Sequence, residues 1–273
     1  MSRTGAISLA SLFAAALLGG CRPSTVRLAF APRPGASYHY TLHIKSTSVT
    51  RLSGQAPRSQ TDEIDLTAVD TVVTTDASGS RLRVVVSRIG LPLADYTVRI
   101  DRQAALVGIE AVNGEPAGQL SADLGGLQLQ DLLPAAVGAP PGLALQAGDR
   151  WHTDEPLTVP DFQPARLVQT GRVERFGVVD GRRVAVTSAD GTLALTPRPT
   201  RSTGGVAEVG LRGVEHTATT VTRVIDDGSI ERSSAHTSGL FDIVLVSTTG
   251  PTGNPLVTGQ IQLDVRSTTR RVA

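Results

Sequence analysis

Five histidines, one cysteine, many serines and an aspartate pair carry whatever reactive chemistry this 273-residue chain offers. His39 and His43 stand four residues apart, a spacing that lets two imidazoles share a metal ion on a helix. They fall in an alternating stretch, however, with Tyr38, Tyr40, Leu42 and Ile44 on one side and His39, Thr41, His43 and Lys45 on the other. That period of two is a half-buried strand. At about 3.3 Å per residue the two rings then lie about 13 Å apart, too far for one zinc ion with bonds of about 2 Å. His152, His216 and His236 are isolated, so no metal is expected. Asp226-Asp227-Gly228 lacks the spaced oxygen ligands of a calcium loop and reads as a hairpin turn. The serines come with no Gly-x-Ser-x-Gly elbow and no strand–turn–helix alternation to carry one. No catalytic residue is assigned. The chain is read as non-enzymatic, with an extracytoplasmic hydrolase as an alternative.

Cys21 is different, because its position carries a chemistry. Arg3 gives a short positive region, Ala6 to Leu18 an apolar run too short to span a bilayer comfortably, and Gly19-Gly20 a small-residue cut site. Leu18-Gly19-Gly20-Cys21 resembles the bacterial lipoprotein signal, the lipobox, at all four of its positions. The resemblance implies that the Cys21 thiol receives a diacylglycerol, that residues 1–20 are removed, and that the new amino terminus is acylated. It places the protein in the cell membrane or the outer membrane, lipid-anchored on the extracytoplasmic face. Membrane contact then needs no spanning helix, since two or more acyl chains hold a protein stably at about 0.8 kcal/mol per buried methylene. The expected organisation is signal peptide 1–20, lipidated tether 21–35, and one β-rich domain, 36–273. Beyond the lipid on Cys21 no cofactor is expected.

Loss of residues 1–20 takes Arg3 with it and leaves 25 basic against 25 acidic side chains. A neutral chain has no field to gather nucleic acid, which is excluded as a partner. With Trp151, three tyrosines and few phenylalanines, stacking platforms for sugars or single strands are scarce. The core must be aliphatic, and with no second cysteine it must hold by packing alone.

The elements that must position any site are strands. Alternation predicts strands over Glu63–Thr75, Arg81–Ile89, Tyr96–Ile100 and Arg166–Val179, and further ones from Val206, Ser229 and Leu256 onward. Turns are expected at Asp76–Gly79, Asp180-Gly181 and Asp190-Gly191. One interruption has helical spacing: Leu120, Leu124 and Leu127, capped by Ser121 and stopped at Pro134, predict a short helix near 121–133. The fold class is therefore mainly β, an antiparallel curled sheet or half-barrel with one short helix. This layout resembles the LolA/LppX-type envelope lipoproteins and carriers, and Gly148-Asp149-Arg150-Trp151 resembles a segment of uncharacterised bacterial lipoproteins of similar layout. That resemblance implies an apolar cavity closed by helices. Its candidate lining residues are Leu120, Leu124, Leu127 and Trp151, although buried aromatics dominate core energetics and Trp151 reads first as the aromatic plug of a packed core. The leading expectation is a protein that binds or carries a lipid or other apolar ligand. The alternative from another class is an envelope structural or protein-interaction module, its protein partner unassigned.

Overall fold

The computed structural model describes residues 25–88, 94–103, 106–116, 142–157, 164–196, 208–246 and 255–272. Cys21 with the rest of the lipobox, Leu120, Leu124, Leu127 and the expected helix near 121–133 all lie outside the described residues. Within them the protein is strand-built, with no helix. The strands are β1 (Val26–Arg27), β2 (Ser37–Leu52), β3 (Arg58–Asp76), β4 (Gly79–Ser87), β5 (Ala94–Asp101), β6 (Leu106–Val112) and β7 (Glu115–Pro116) in the first half. The second half holds β8 (Ala144–Leu145), β9 (Arg150–Leu157), β10 (Ala165–Val179), β11 (Arg182–Leu195), β12 (Glu208–Val224), β13 (Ile230–Val246) and β14 (Pro255–Val272).

Twelve of these form one antiparallel sheet in the order β7-β6-β5-β4-β3-β2-β14-β13-β12-β11-β10-β9. Each meander pairs with its own neighbours, and the first and last long strands, β2 and β14, join the two halves through fourteen residue pairs from Gly259↔Leu52 to Val272↔His39. The mainly β, antiparallel expectation holds. Asp180, at φ 48°, and Gly181, at φ 75°, make the tight turn between β10 and β11, the positive angles that a two-residue hairpin loop demands. The turn expected at Asp190-Gly191 does not form. β11 runs through it unbroken, with Asp190 exposed and Gly191 buried against the Gln169 side chain, 3.5 Å from the place a Cβ would occupy. A side chain would fit there in ordinary contact, and pairing on both sides, with Gln169 of β10 and Thr217 of β12, keeps the chain extended.

One end of the sheet is closed by its own amino-terminal stretch. β1 pairs with β8, and Leu28 and Leu145 bury against Trp151, Val173, Ala185 and Ala189. The chain then crosses to the other meander, where Phe30 joins Tyr38, Leu82, Val98 and Ile100. The crossing is fastened by backbone bonds: Phe30 N donates to Arg102 O at 2.7 Å, Ala31 N to Asp227 O at 2.9 Å, and Gly35 N to Val72 O at 2.8 Å. Gly228 permits it. Its φ is 73°, and a Cβ there would stand 2.2 Å from the Ala29 carbonyl oxygen. The expected tether and the structure thus differ over residues 26–35, which belong to the fold. The physical reason is that Leu28 and Phe30 each gain about 1.5–3 kcal/mol by leaving water, which a free leash would forgo.

Candidate functional site

Between the bulges at Val72/Thr74, Val173/Arg175 and Thr222/Arg223 the strands alternate, so register assigns residues there to the inner or the outer face. The outer face is ionic. Arg83 pairs with Asp95 at 2.6 Å, Arg99 with Asp76 at 2.6 Å, Arg166 with Asp154 at 2.7 Å and His236 with Asp264 at 2.6 Å. The guanidinium of Arg99 holds the exposed Asp76 carboxyl well below the usual carboxylate range, and Arg166 and His236 lower Asp154 and Asp264 in the same way. A wall facing lipid needs an apolar outward band, and among the described residues the outward rows carry these ion pairs, with Val168, Val214 and Leu240 exposed singly. All five histidines project to this outer side, and among the described residues no three metal-ligating side chains converge.

The inner face changes character along its length. At the closed end it is filled: Leu42, Ile44, Leu66, Val72, Leu82, Val84 and Val98 are all buried in one cluster. Next to that apolar floor lies a set of buried ionisable groups. Tyr38 donates to Asp227 Oδ2 at 3.0 Å, and Asp227 Oδ1 accepts from the Ser229 amide and hydroxyl at 2.9 and 2.6 Å. Arg271 donates to Ser229 Oγ at 3.2 Å and lies 4.8 Å above the Tyr38 ring, an attraction between cation and ring face. Arg182 pairs with Glu231 at 3.2 Å. Burial, reinforced by Asp227, lifts the Tyr38 phenol well above its usual range, and burial beside Asp70 does the same to Tyr40. Burial pulls Arg223 down to about 10, opposed by Tyr40.

Asp70 stands apart from that network. Its Oδ1 is sealed from solvent with no hydrogen-bond partner, and burial alone pushes its carboxyl up to about 7. The sequence held the signal for it: Leu66, Ala68 and Val72 share its face, so the strand period places a carboxylate on an apolar row. Gln169 is the second polar residue missed, on the inward row of Leu167, Gly171 and Val173.

Trp151 occupies the inner face of β9, 6% exposed, opposite Gly171 of β10. Its indole lies across that glycine, with ring carbons about 2.0 Å from where a Cβ would be. It packs with Leu28, Leu145, Val173 and Ala189, and so stands in a filled part of the core. Its Nε1 and the Nε2 of Gln169 have no protein acceptor. Of the sequence-derived lining residues, Trp151 alone can be placed, and the other three lie outside the described residues.

Farther from the closed end the inner face carries half-buried aliphatic side chains. Leu193 and Leu195 of β11, Leu167 of β10, and Ile261, Leu263 and Val265 of β14 continue the apolar rows past the filled floor. Between them run small residues in register, with Gly191↔Thr217, Thr217↔Thr237 and Thr237↔Val265 as successive cross-strand pairs. In the next registers outward Glu215 faces inward between Leu193 and Gly239, its Oε1 accepting from the Thr217 hydroxyl at 3.5 Å, and Phe241 is buried across Gly213 and Gly239, so the face offers an acyl chain aliphatic flanks beside one carboxylate and one aromatic ring.

No family model and no curated protein sequence matches this chain. Among solved structures it is similar to OmpT, an outer membrane protein of Vibrio cholerae folded in vitro and seen in its trimer form, at 8% identity, over 88% of this chain and 100% of that one. The TM-score is 0.24, below what a common fold requires.

Proposed function

We propose that the protein is a lipid-anchored envelope lipoprotein that holds an apolar ligand, an acyl chain of a lipid, against the inner face of its sheet. The supporting observation is two flanks of half-buried aliphatic side chains on that face, Leu167, Leu193 and Leu195 on β10 and β11 and Ile261, Leu263 and Val265 on β14, with β12 and β13 between them. Such rows cost free energy in water and regain about 25 cal/mol for each Å² covered. The role is non-enzymatic, binding or carriage, with Cys21 supplying the anchor on the extracytoplasmic face of the cell or outer membrane. The interaction-module alternative draws no comparable support from the edge strand β9, which carries Arg150, Asp154 and Pro156, the devices by which edges resist pairing.

Two substitutions test the two halves of this reading. Cys21→Ala is expected to move the protein from the membrane fraction to the soluble one and to abolish its lipid modification by mass spectrometry. Retention in the membrane fraction without lipid would refute the anchor. Leu193→Gln combined with Leu263→Gln is expected to lower lipid co-purified per mole of protein about tenfold, each lost apolar contact contributing about 1 kcal/mol or more. An unchanged lipid yield from the folded double variant would remove the ligand from this face.

A further inference from the structure

A separate feature lies on the opposite side of the sheet. A groove of about 620 Å³ crosses the outer face of β14, β2, β3 and β4, in the size range of small-molecule sites. Its lining is largely apolar, with Leu42 and Leu66 among it, and carries the polar ends of Thr41, Thr67, Ser87, Thr268, Arg88 and Arg270. Register explains the assembly. Arg270 pairs with Thr41, Thr41 with Thr67, and Thr67 with Ser87, so one transverse line carries a guanidinium and three hydroxyls across four strands. With neighbouring strands about 4.8 Å apart that line is about 14 Å long. Arg88 closes its far end, where β4 has left the sheet.

The charges in the groove are not balanced internally. His43 and Asp65 also line it, but Asp65 Oδ1 is taken by His43 Nδ1 at 2.8 Å, and the other side of that imidazole faces Glu63 at 3.5 Å. Glu63 is further engaged by Lys45 at 3.9 Å. Arg88 and Arg270 make no ion pair among the described residues. Two guanidiniums without an ion pair among the described residues flank a row of hydroxyls, of which Thr41 Oγ1 donates to the Arg270 carbonyl at 3.5 Å, and together they match an anion with several acceptor oxygens, since arginine forks and hydroxyls satisfy more lone pairs than a single carboxylate offers. No aromatic side chain lines the groove to stack a sugar or a base.

We propose that this outer groove binds a phosphate group, held between Arg88 and Arg270 over the hydroxyls of Thr41, Thr67, Ser87 and Thr268. The site is independent of the inner face and of the acyl-chain reading. Phosphate of this kind reaches an envelope protein either as free phosphate or as the phosphomonoester end of a lipid headgroup.

Calorimetric titration of the full mature chain at low salt tests it, with inorganic phosphate and glycerol 3-phosphate as probes. The expected result is binding tighter than about 1 mM for at least one probe, weakened by added salt. Glycerol 3-phosphate binding much more tightly than inorganic phosphate identifies the headgroup source, and equal affinities identify free phosphate. Arg88→Gln and Arg270→Gln are each expected to weaken binding about tenfold, as loss of a charge-assisted bond does. Because Arg88 is partly buried, amide chemical shifts of the unmodified chain supply a second readout, with Thr41, Thr67 and Thr268 moving on addition of the probe. No heat from either probe at about 1 mM, affinity unaltered in both variants, or shifts confined to other residues would overturn the assignment.

Discussion

Trp151→Ala is expected to lower the stability of the protein by about 3–5 kcal/mol, the cost of emptying a large buried aromatic site. The indole is the principal aromatic of the second core cluster, and the amino-terminal crossing rests on it through Leu28 and Leu145. The size of the effect has an internal control in Gly171, whose missing Cβ is the space the ring fills. Gly171→Ala alone should cost about 1–3 kcal/mol, because the ring or the strand must move to admit a methyl group. In the Trp151→Ala background the same change should cost nothing, and can stabilise by about 0.5–1 kcal/mol because alanine suits a strand better than glycine. Urea unfolding of the four proteins measures the coupling directly. Equal costs of Gly171→Ala in both backgrounds would show that the ring does not occupy that space.

Stability should also fall as pH rises through the range between the ordinary aspartate value of 3.8 and about 7, because of Asp70. Within that window the folded protein retains a proton on Asp70 that the unfolded chain has released. The unfolded state then binds fewer protons than the folded state, and the linkage relation gives a negative slope of stability with pH. The slope ends above about 7, where both states are ionised. At 1.36 kcal/mol per unit, the shift corresponds to about 4 kcal/mol at most. Asp70→Asn removes the titration and keeps the shape. It should flatten the profile between pH 4 and 8 relative to the parent and leave the variant more stable at pH 8. Parallel profiles for parent and variant would contradict the burial of this carboxyl. The exposed, lowered carboxylates Asp76, Asp154 and Asp264 act in the opposite sense, losing their contribution as pH falls, and they cancel in the comparison because both proteins contain them.

The strand periodicity was legible in the sequence wherever one face is buried and the other wet. β2 shows this plainly: Tyr38, Tyr40, Leu42 and Ile44 are buried as their alternation requires, and His39 and His43 project outward. The aspartate-glycine dipeptides were less decisive. Asp180-Gly181 turns the chain and Asp190-Gly191 does not, and only the neighbouring strands distinguish them, because Gly191 is paired with Gln169 on one side and Thr217 on the other. Likewise, prolines made residues 21–35 look like a leash, yet Leu28 and Phe30 find buried places supplied by strands far away in the chain. The outer groove could not be read at all from one strand. Arg270, Thr41, Thr67 and Ser87 are distant in sequence, and only the pairing of β14 with β2 brings them into line. Asp70 and Gln169 were legible in principle, since a polar residue on an apolar row is a local signal, although its consequence depends on how deeply that row is covered.

An acyl chain held against the half-buried aliphatic side chains of the inner face should stay with the protein when it leaves the membrane. Native mass spectrometry of the mature protein, released gently from its own membrane, tests it most directly. The expected spectrum contains a population heavier than the lipidated polypeptide by the mass of one lipid, lost on solvent extraction and depleted in the Leu193→Gln, Leu263→Gln double variant. A single species at the mass of the lipidated polypeptide, with no lipid in the extract, would contradict it.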